Sequence, residues 1–367
     1  MDSEKTPDFP GTKNLRFFSV LRNCFDDFYD FIKPAVFSFT EKDPEKAHQY
    51  FVSFLRFLYH ANLDEFFLDN SSNYNPSSMK ISNAAGFNKN AEIPPSTMKY
   101  LGFDRVVIGT VTNEKWPGNP KPRIVRYPST ESLVNWMGLP GDGAEKIAER
   151  LSNYKRSLIP VTINLMATPG KKGDEIFSDL EETVLALRDA PNVDRAELNI
   201  SCPNTHSQDG NLDARKEYQK KSKEMLSVVK SNLYPQQELY LKISPDIDYQ
   251  GVEEICSIAD KNLVSGFTIS NTTTRHDSKY ILKSHEAGGA SGNAVYNASL
   301  EVQKMFEKVM NKNNMKIIAC GGINTFERVQ ERIIHGAEEI QLYTPLIFSG
   351  PKLLRELKDN MSKRSCL

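Results

Sequence analysis

Cysteine is scarce in this chain. Its five residues, Cys24, Cys202, Cys256, Cys320 and Cys366, form no C-x-x-C pair, which excludes a disulfide framework and fits reduced thiols in a reducing compartment. An excess of charge of either sign is also missing. Lys+Arg 46 against Asp+Glu 47 leaves a net charge of -1, so the chain carries no electrostatic footprint for nucleic acid. No stretch of eighteen apolar residues occurs, as a membrane-spanning helix would need. The acidic start Met1-Asp2-Ser3-Glu4 has neither the apolar segment of a signal peptide nor the basic character of a mitochondrial presequence. Four N-x-[ST] matches, at Asn70, Asn199, Asn271 and Asn297, therefore read as chance patterns rather than glycosylation sites. The six histidines show no ligand spacing, and a metal centre is not expected.

What is present is an ordinary globular composition, 39% hydrophobic and 25% charged. A single (β/α)₈ barrel takes roughly 250 residues, which leaves about a hundred to place. The region from 17 to 65 is dense in aromatics, including Phe25, Phe28, Tyr29, Phe31, Phe37, Phe39, Phe51, Phe54 and Phe57. Asp43-Pro44 reads as a helix start with a capping carboxylate and proline at the first helical position. Ala47, Tyr50, Phe51, Phe54, Leu55 and Leu58 then recur at helical spacing. With a preceding helix over about 22–37, this is an amphipathic helical hairpin. It has more aromatic surface than two helices bury between themselves, and reads either as a cap on the main domain or as a docking surface for a membrane or apolar ligand. Residues 66–80 are rich in turn formers and read as a linker. The expected division is residues 1–79 for hairpin and linker and 80–367 for the catalytic domain.

From residue 80 onward, short apolar runs alternate with helical patterns. The expected strands are 81–85, 105–109, 160–165, 195–200, 238–243, 265–270, 315–320 and 338–343. Helices are expected over 144–151, 176–187, 218–231, 252–261, 299–310, 326–335 and 352–361. This is the pattern of βαβ units and a parallel sheet, and eight repeats favour closure into a TIM barrel. The competing doubly wound sheet calls for a G-x-G-x-x-G turn after its first strand, and none is present.

A parallel barrel builds its active site where the strands end. Polar groups gather there: Ala85-Gly86-Phe87-Asn88-Lys89, Thr110, Asn164, Asn199, Cys202 and Asn204, Lys242, Ser270-Asn271-Thr272, Gly321-Gly322, and Tyr343-Thr344. Amides and hydroxyls suit a planar, hydrogen-bonding heterocycle better than a metal. Lys242, between Leu241 and Ile243, is costly in an apolar strand unless an anion or acceptor faces it. It snorkels, or it sits beside an electron-rich ring that gains negative charge when reduced, as a flavin does. Gly292 and the Gly321-Gly322 pair let backbone N–H groups approach a phosphate, although glycines of turns look the same. Cys202 is either a structural thiol or a base or nucleophile.

In one consistent order the chain carries Asp-Pro-Glu-Lys-Ala-His (43–48), Ala-Ala-Gly-Phe-Asn-Lys-Asn (84–90), Ile-Gly-Thr-Val-Thr (108–112), Pro-Gly-Asn-Pro-Lys-Pro-Arg (117–123), Asn-Ile-Ser-Cys-Pro-Asn-Thr (199–205), Ser-Asn-Thr-Thr (270–273), Gly-Gly-Ala-Ser-Gly (288–292) and Gly-Gly-Ile (321–323). It thereby resembles the dihydroorotate dehydrogenases of class 2, which are quinone-using and membrane-associated, over roughly residues 28–356. The resemblance implies oxidation of dihydroorotate to orotate in de novo pyrimidine biosynthesis, on a peripheral membrane protein at the cytoplasmic face of the cell membrane. It implies FMN contacts from Ala85, Gly86, Lys89, Thr110, Asn164, Asn199, Lys242, Ser270, Gly292, Gly322, Tyr343 and Thr344. Substrate contacts would come from Lys89, Asn135, Met137, Gly138, Leu139, Asn199, Asn204, Asn271 and Thr272, and quinone contacts from His48 and Arg126. Cys202 takes the place of the catalytic base, where class 2 usually carries serine. Three stretches depart from the family pattern: Met166-Ala167-Thr168, Met137-Gly138-Leu139-Pro140-Gly141, and Asn204-Thr205-His206-Ser207-Gln208-Asp209. The alternatives are another FMN barrel acting on a related pyrimidine or an enone, and a non-catalytic flavin-binding relative.

Overall fold

The computed structural model describes residues 12–67, 79–155, 159–200, 212–259, 263–282, 288–310 and 315–364. Two helices lead, α1 (Thr12–Phe39) and α2 (Glu45–His60). There follow β1 (Lys80–Asn83), α3 (Pro95–Leu101), β2 (Val106–Val111), β3 (Ile124–Tyr127), β4 (Ser132–Asn135), α4 (Ala144–Ser152), β5 (Val161–Leu165), α5 (Glu175–Leu187), β6 (Val193–Asn199), α6 (Leu212–Asn232), β7 (Glu238–Ile243) and α7 (Tyr249–Ile258). The chain continues with β8 (Gly266–Ile269), β9 (Gly289–Gly292), α8 (Tyr296–Met310), β10 (Lys316–Cys320), α9 (Phe326–Ile334), β11 (Ala337–Leu342), α10 (Thr344–Ser349) and α11 (Lys352–Arg364).

Eight of these strands run parallel in the order β1-β11-β10-β8-β7-β6-β5-β2, and a parallel bridge between Ser82 and Arg105 brings the two ends together. This is the expected (β/α)₈ barrel, and each of its strands falls on one of the eight runs read from the sequence. The remaining three strands form a small antiparallel sheet, β3-β4-β9, in which Ser132 faces Gly292 and Asn135 faces Gly289. It had not been expected. Its signal is a hairpin, two short β-branched runs either side of Pro128-Ser129-Thr130-Glu131. Much of the chain beyond a minimal barrel is housed in this sheet and in the two leading helices.

Alternation explains why the strands close as they do. In β6, Ala196 and Leu198 join the apolar core shared with the surrounding helices, while Arg195, Glu197 and Asn199 occupy the other face. Those side chains point into the barrel, because Glu197 bonds Thr268 of β8 and Gln341 of β11, strands that are not its neighbours in the sheet. Barrel interiors usually fill with Val, Ile and Leu; here the interior is a stack of buried polar and charged groups. Its lower layer holds Glu339, which accepts from Arg195 at 2.9 Å and Ser82 at 2.7 Å with Arg105 Nε 3.9 Å away. All four are buried.

Three local readings are corrected. α1 begins at Thr12 rather than near residue 22, since after Pro10-Gly11 no residue before Pro34 interrupts a helix. Asp43 does not cap α2. The chain winds from α1 through a tight turn, Asp43 N–H donating to Thr40 O, so that Pro44 takes the N-cap position without a side-chain bond and Lys46 N–H meets the Asp43 carbonyl instead. The expected linker starts late, because Asp64–Phe67 is a 3₁₀ turn whose Phe67 is buried against Phe25; residues 68–78 lie outside the described ones. α3 and α10, too short for a periodic signal, were not expected.

Removing one partner of a buried ion pair leaves an uncompensated charge and costs about 3–5 kcal/mol. Glu339→Ala takes the buried carboxylate from between Arg195 and Arg105 and leaves them to the more exposed Glu238 and Asp194, and urea unfolding is expected to show a loss toward the lower end of that range. A loss below ~1 kcal/mol would show that the layer is hydrated rather than paired.

Candidate active site

At the strand ends opposite this lower layer a cavity of about 1830 Å³ opens, larger than the ~300–1,000 Å³ of a typical small-ligand site. It runs from Lys242, Gln341 and Cys320 at the barrel centre, past the antiparallel sheet, to the space between α1 and α2. The structure brings together on its walls Ala85, Gly86, Lys89, Thr110, Asn135, Met137, Gly138, Leu139, Asn199, Lys242, Ser270, Asn271, Thr272, Gly292, Gly322, Tyr343 and Thr344, together with His48 and Arg126. Asn164 is fully buried and does not line it. Cys202 and Asn204 lie outside the described residues.

The antiparallel sheet shapes one wall. It places Asn135, whose Nδ2 donates to Gly289 O at 3.3 Å, beside the departing loop Met137-Gly138-Leu139. That loop is held by Arg123, which donates to the carbonyls of Pro117, Asn119 and Met137 while forming a two-pronged pair at 3.0 Å with Glu45 of α2. Burial disfavours the Glu45 charge, but Arg123 and Lys121 outweigh it and hold the carboxyl below its usual range. Across the cavity, Asn271 Oδ1 accepts from Thr272 N–H at 2.9 Å and its Nδ2 reaches Asn199 Oδ1 at 3.4 Å. Asp246 fixes the following turn through Thr273 and both N–H and hydroxyl of Thr274. The wall that carries Asn271 and Thr272 is therefore tied down at both ends.

Glycine is required on the opposite side. A Cβ at Gly292 would lie 2.2 Å from Glu131 O, and one at Gly322 2.5 Å from Gly292 O, so the two backbones touch and expose amides rather than side chains. Arg328 and Arg332 take the carbonyls of Gly322 and Gly321. Ser291 and Thr344 hydroxyls meet at 2.8 Å on the same side.

Electrostatics vary along the cavity. Burial, with help from Arg123, pushes the Lys89 ammonium down to about 8, close enough to neutrality to exchange a proton with a ligand. Burial also drives His48 down to about 4 against a hydrogen bond to the Phe87 backbone, so its ring is neutral at physiological pH. Tyr343, packed against His48 and Phe87, is pushed up to about 12 by burial. These groups separate the polar barrel centre from an aromatic channel lined by Phe25, Phe28, Tyr29, Phe51 and Phe54.

Two residues at the barrel centre escaped the sequence reading, Glu197 and Gln341. Of the polar residues inside strands, Asn164 and Lys242 are picked out by the sequence, whereas Glu197 in β6 and Gln341 in β11 are not. The available signal was the period-2 placement of Glu197 and Asn199, and of Glu339 and Gln341, among apolar neighbours. Among the described residues no cluster of three or more His, Cys, Asp or Glu could hold a metal.

The dihydroorotate dehydrogenase family model matches residues 74–364. The chain is 31% identical over 353 residues to a dihydroorotate dehydrogenase (quinone) of Nitratiruptor sp., covering 91% of this chain and 93% of that one. It is likewise 31% identical over 360 residues to one from Thermosynechococcus vestitus, covering 90% and 95%. Among solved structures, ligand-free DHODH from Eimeria tenella superposes with a TM-score of 0.72 at 25% identity over 88% of this chain and 96% of that one. The same enzyme in complex with ferulenol gives 0.74 at 24% over 88% and 92%. With family model, relatives and fold in agreement, the chain belongs to the dihydroorotate dehydrogenase family, in its class 2 branch.

Proposed function

We infer that the protein oxidises dihydroorotate to orotate in pyrimidine biosynthesis, with FMN held at the barrel centre and a quinone as final electron acceptor. The observation that carries this is the single cavity joining a polar, amide-lined barrel end to an apolar channel between two surface helices. The residues fit FMN. Gln341 Oε1, on the cavity wall, is a buried acceptor without a partner, suited to a ring N–H donor, and the glycine wall at Gly292 and Gly322 admits a phosphate to backbone amides. When bound, FMN accepts a hydride and passes electrons on singly or in pairs.

The chain's own residues do the rest. Ala85, Gly86, Thr110, Asn199, Ser270, Tyr343 and Thr344 would hold FMN alongside Lys242. Lys89, Asn135, Asn271 and Thr272, with Asn204 and the Met137-Gly138-Leu139 loop, would hold the substrate ring and its carboxylate. Cys202, three residues after Asn199 in sequence, would remove the C5 proton. A thiol works near neutral pH with modest electropositive help.

Residues 1–79 serve in this reading as the access unit for the acceptor. Arg126 anchors the end of α1, its Nη2 donating to the carbonyls of Phe37 and Thr40, while its buried Nη1 has no partner and offers a donor to a quinone carbonyl; neutral His48, bonded to the Phe87 backbone, lines the same channel. Phe28, Tyr50 and Phe54 both line the channel and face outward, which marks its mouth. Beside it Phe31 and Phe39 are 83% and 81% exposed, a surface suited to the apolar boundary of a bilayer. Among the described residues no helix is long and apolar enough to cross a membrane. The contact proposed is peripheral, on the cytoplasmic face as the sequence resemblance implies.

Anaerobic mixing with dihydroorotate should bleach the flavin absorbance, and a quinone should restore it; a flavin that stays oxidised would overturn the assignment. Cys202→Ala should keep orotate binding while slowing that bleaching ~10²–10⁴-fold, the usual contribution of a general base, and near-normal reduction would move the role elsewhere. The double variant Phe31→Ser/Phe39→Ser should cut sedimentation with phospholipid vesicles several-fold while flavin reduction by substrate is unchanged. Equal vesicle binding would remove the hairpin from the membrane contact.

A further inference from the structure

Glu197 is fully buried at the centre of the barrel. Its carboxylate accepts from Asn164 Nδ2 at 2.7 Å, from Gln341 Nε2 at 2.9 Å and from the Thr268 hydroxyl, and the Lys242 ammonium lies 3.9 Å from Oε1. An ionised carboxylate only accepts hydrogen bonds, so both amides must turn their NH₂ groups toward it. Their carbonyl oxygens are thereby turned away from it, and both Asn164 Oδ1 and Gln341 Oε1 are buried without a partner. Gln341 and Lys242 reach the cavity; Asn164 supports them from β5. An unpaired buried acceptor is costly in a folded protein, and a ligand edge whose N–H donor meets Gln341 Oε1 offsets that cost.

We propose that Glu197 is the positioning residue of the flavin site: it fixes the orientation of Asn164 and Gln341, makes Gln341 a ring-binding residue, and balances the charge that Lys242 presents to the ring. This rests on the flavin reading above. Glu197 touches neither ring nor substrate and acts through the groups it holds. A neutral amide in its place has one oxygen and one NH₂, and cannot accept from Asn164, Gln341 and Thr268 together. At least one of those groups turns its donor elsewhere, and Lys242 faces the ring without the opposing carboxylate. Reduction places negative charge on the ring, so loss of the Glu197 charge favours the reduced form.

The test compares flavin-loaded wild type and Glu197→Gln by spectroelectrochemical titration, with flavin retention on dialysis as a second readout. The expected result is a positive displacement of the midpoint potential corresponding to at least a tenfold change in the ratio of reduced to oxidised flavin affinity, ~30 mV for a two-electron couple, with faster flavin loss. A potential and a retention equal to wild type overturn the proposal. Should Glu197→Gln not fold, Gln341→Leu decides: it keeps the bulk and removes the acceptor, so flavin retention falls at least tenfold, and unchanged retention overturns the proposal. Wild-type protein that cannot be loaded with FMN at all overturns the flavin reading and this inference with it, a result distinct from flavin-loaded variants that behave as wild type.

Discussion

The barrel is organised around a carboxylate that water cannot reach. Glu197 has to be met by donors, and the strands that supply them, β5, β7, β8 and β11, come from most of the way round the barrel. A buried charge of this kind adds little net stability compared with an apolar filling. What it specifies is orientation: which end of each amide faces inward and where the lysine head rests. The lower layer, with Glu339 between Arg195 and Arg105, repeats the device one step down the same strands. The barrel thus gives up the usual aliphatic filling, and in exchange every polar group at the cavity floor is aimed by another.

The architecture was legible in the sequence because each barrel strand keeps one apolar face toward the helices, and that face produces a run long enough to recognise. What lay on the other face was harder to see. Arg195, Glu197, Glu339 and Gln341 read as ordinary surface alternation until closure of the barrel turns them inward, a consequence of the whole sheet rather than of any one strand. The β3-β4-β9 sheet was missed for a related reason. Gly288-Gly289-Ala290-Ser291-Gly292 resembles a loop in isolation and becomes a strand only because β4 supplies its partners. Of the residues singled out in advance, those at strand ends converge on one cavity, since strand ends of a parallel barrel share one rim. Cys202 and Asn204 lie outside the described residues, and their roles stand on sequence alone.

The two ends of the cavity differ in the physical chemistry they offer. The barrel end is rich in fixed amides and hydroxyls, preorganised by mutual hydrogen bonds, and suits ligands recognised by shape and polarity. The helical end is walled by rings, with His48 kept neutral by burial, and suits a ligand that partitions out of water. Tyr343 and Phe87 stand between them, a hydrophobic divide that keeps a polar substrate and an apolar acceptor on separate sides.

These two ends are not mechanically independent. Arg123 grips Glu45, one helical turn before His48, with two nitrogens, and with the third it gathers the carbonyls of Pro117, Asn119 and Met137. A guanidinium is planar and rigid, so it acts as a strut rather than a tether. It fixes the spacing between α2, on the apolar side, and the loop carrying Met137-Gly138-Leu139, on the polar side, so the walls of the two chambers share one brace.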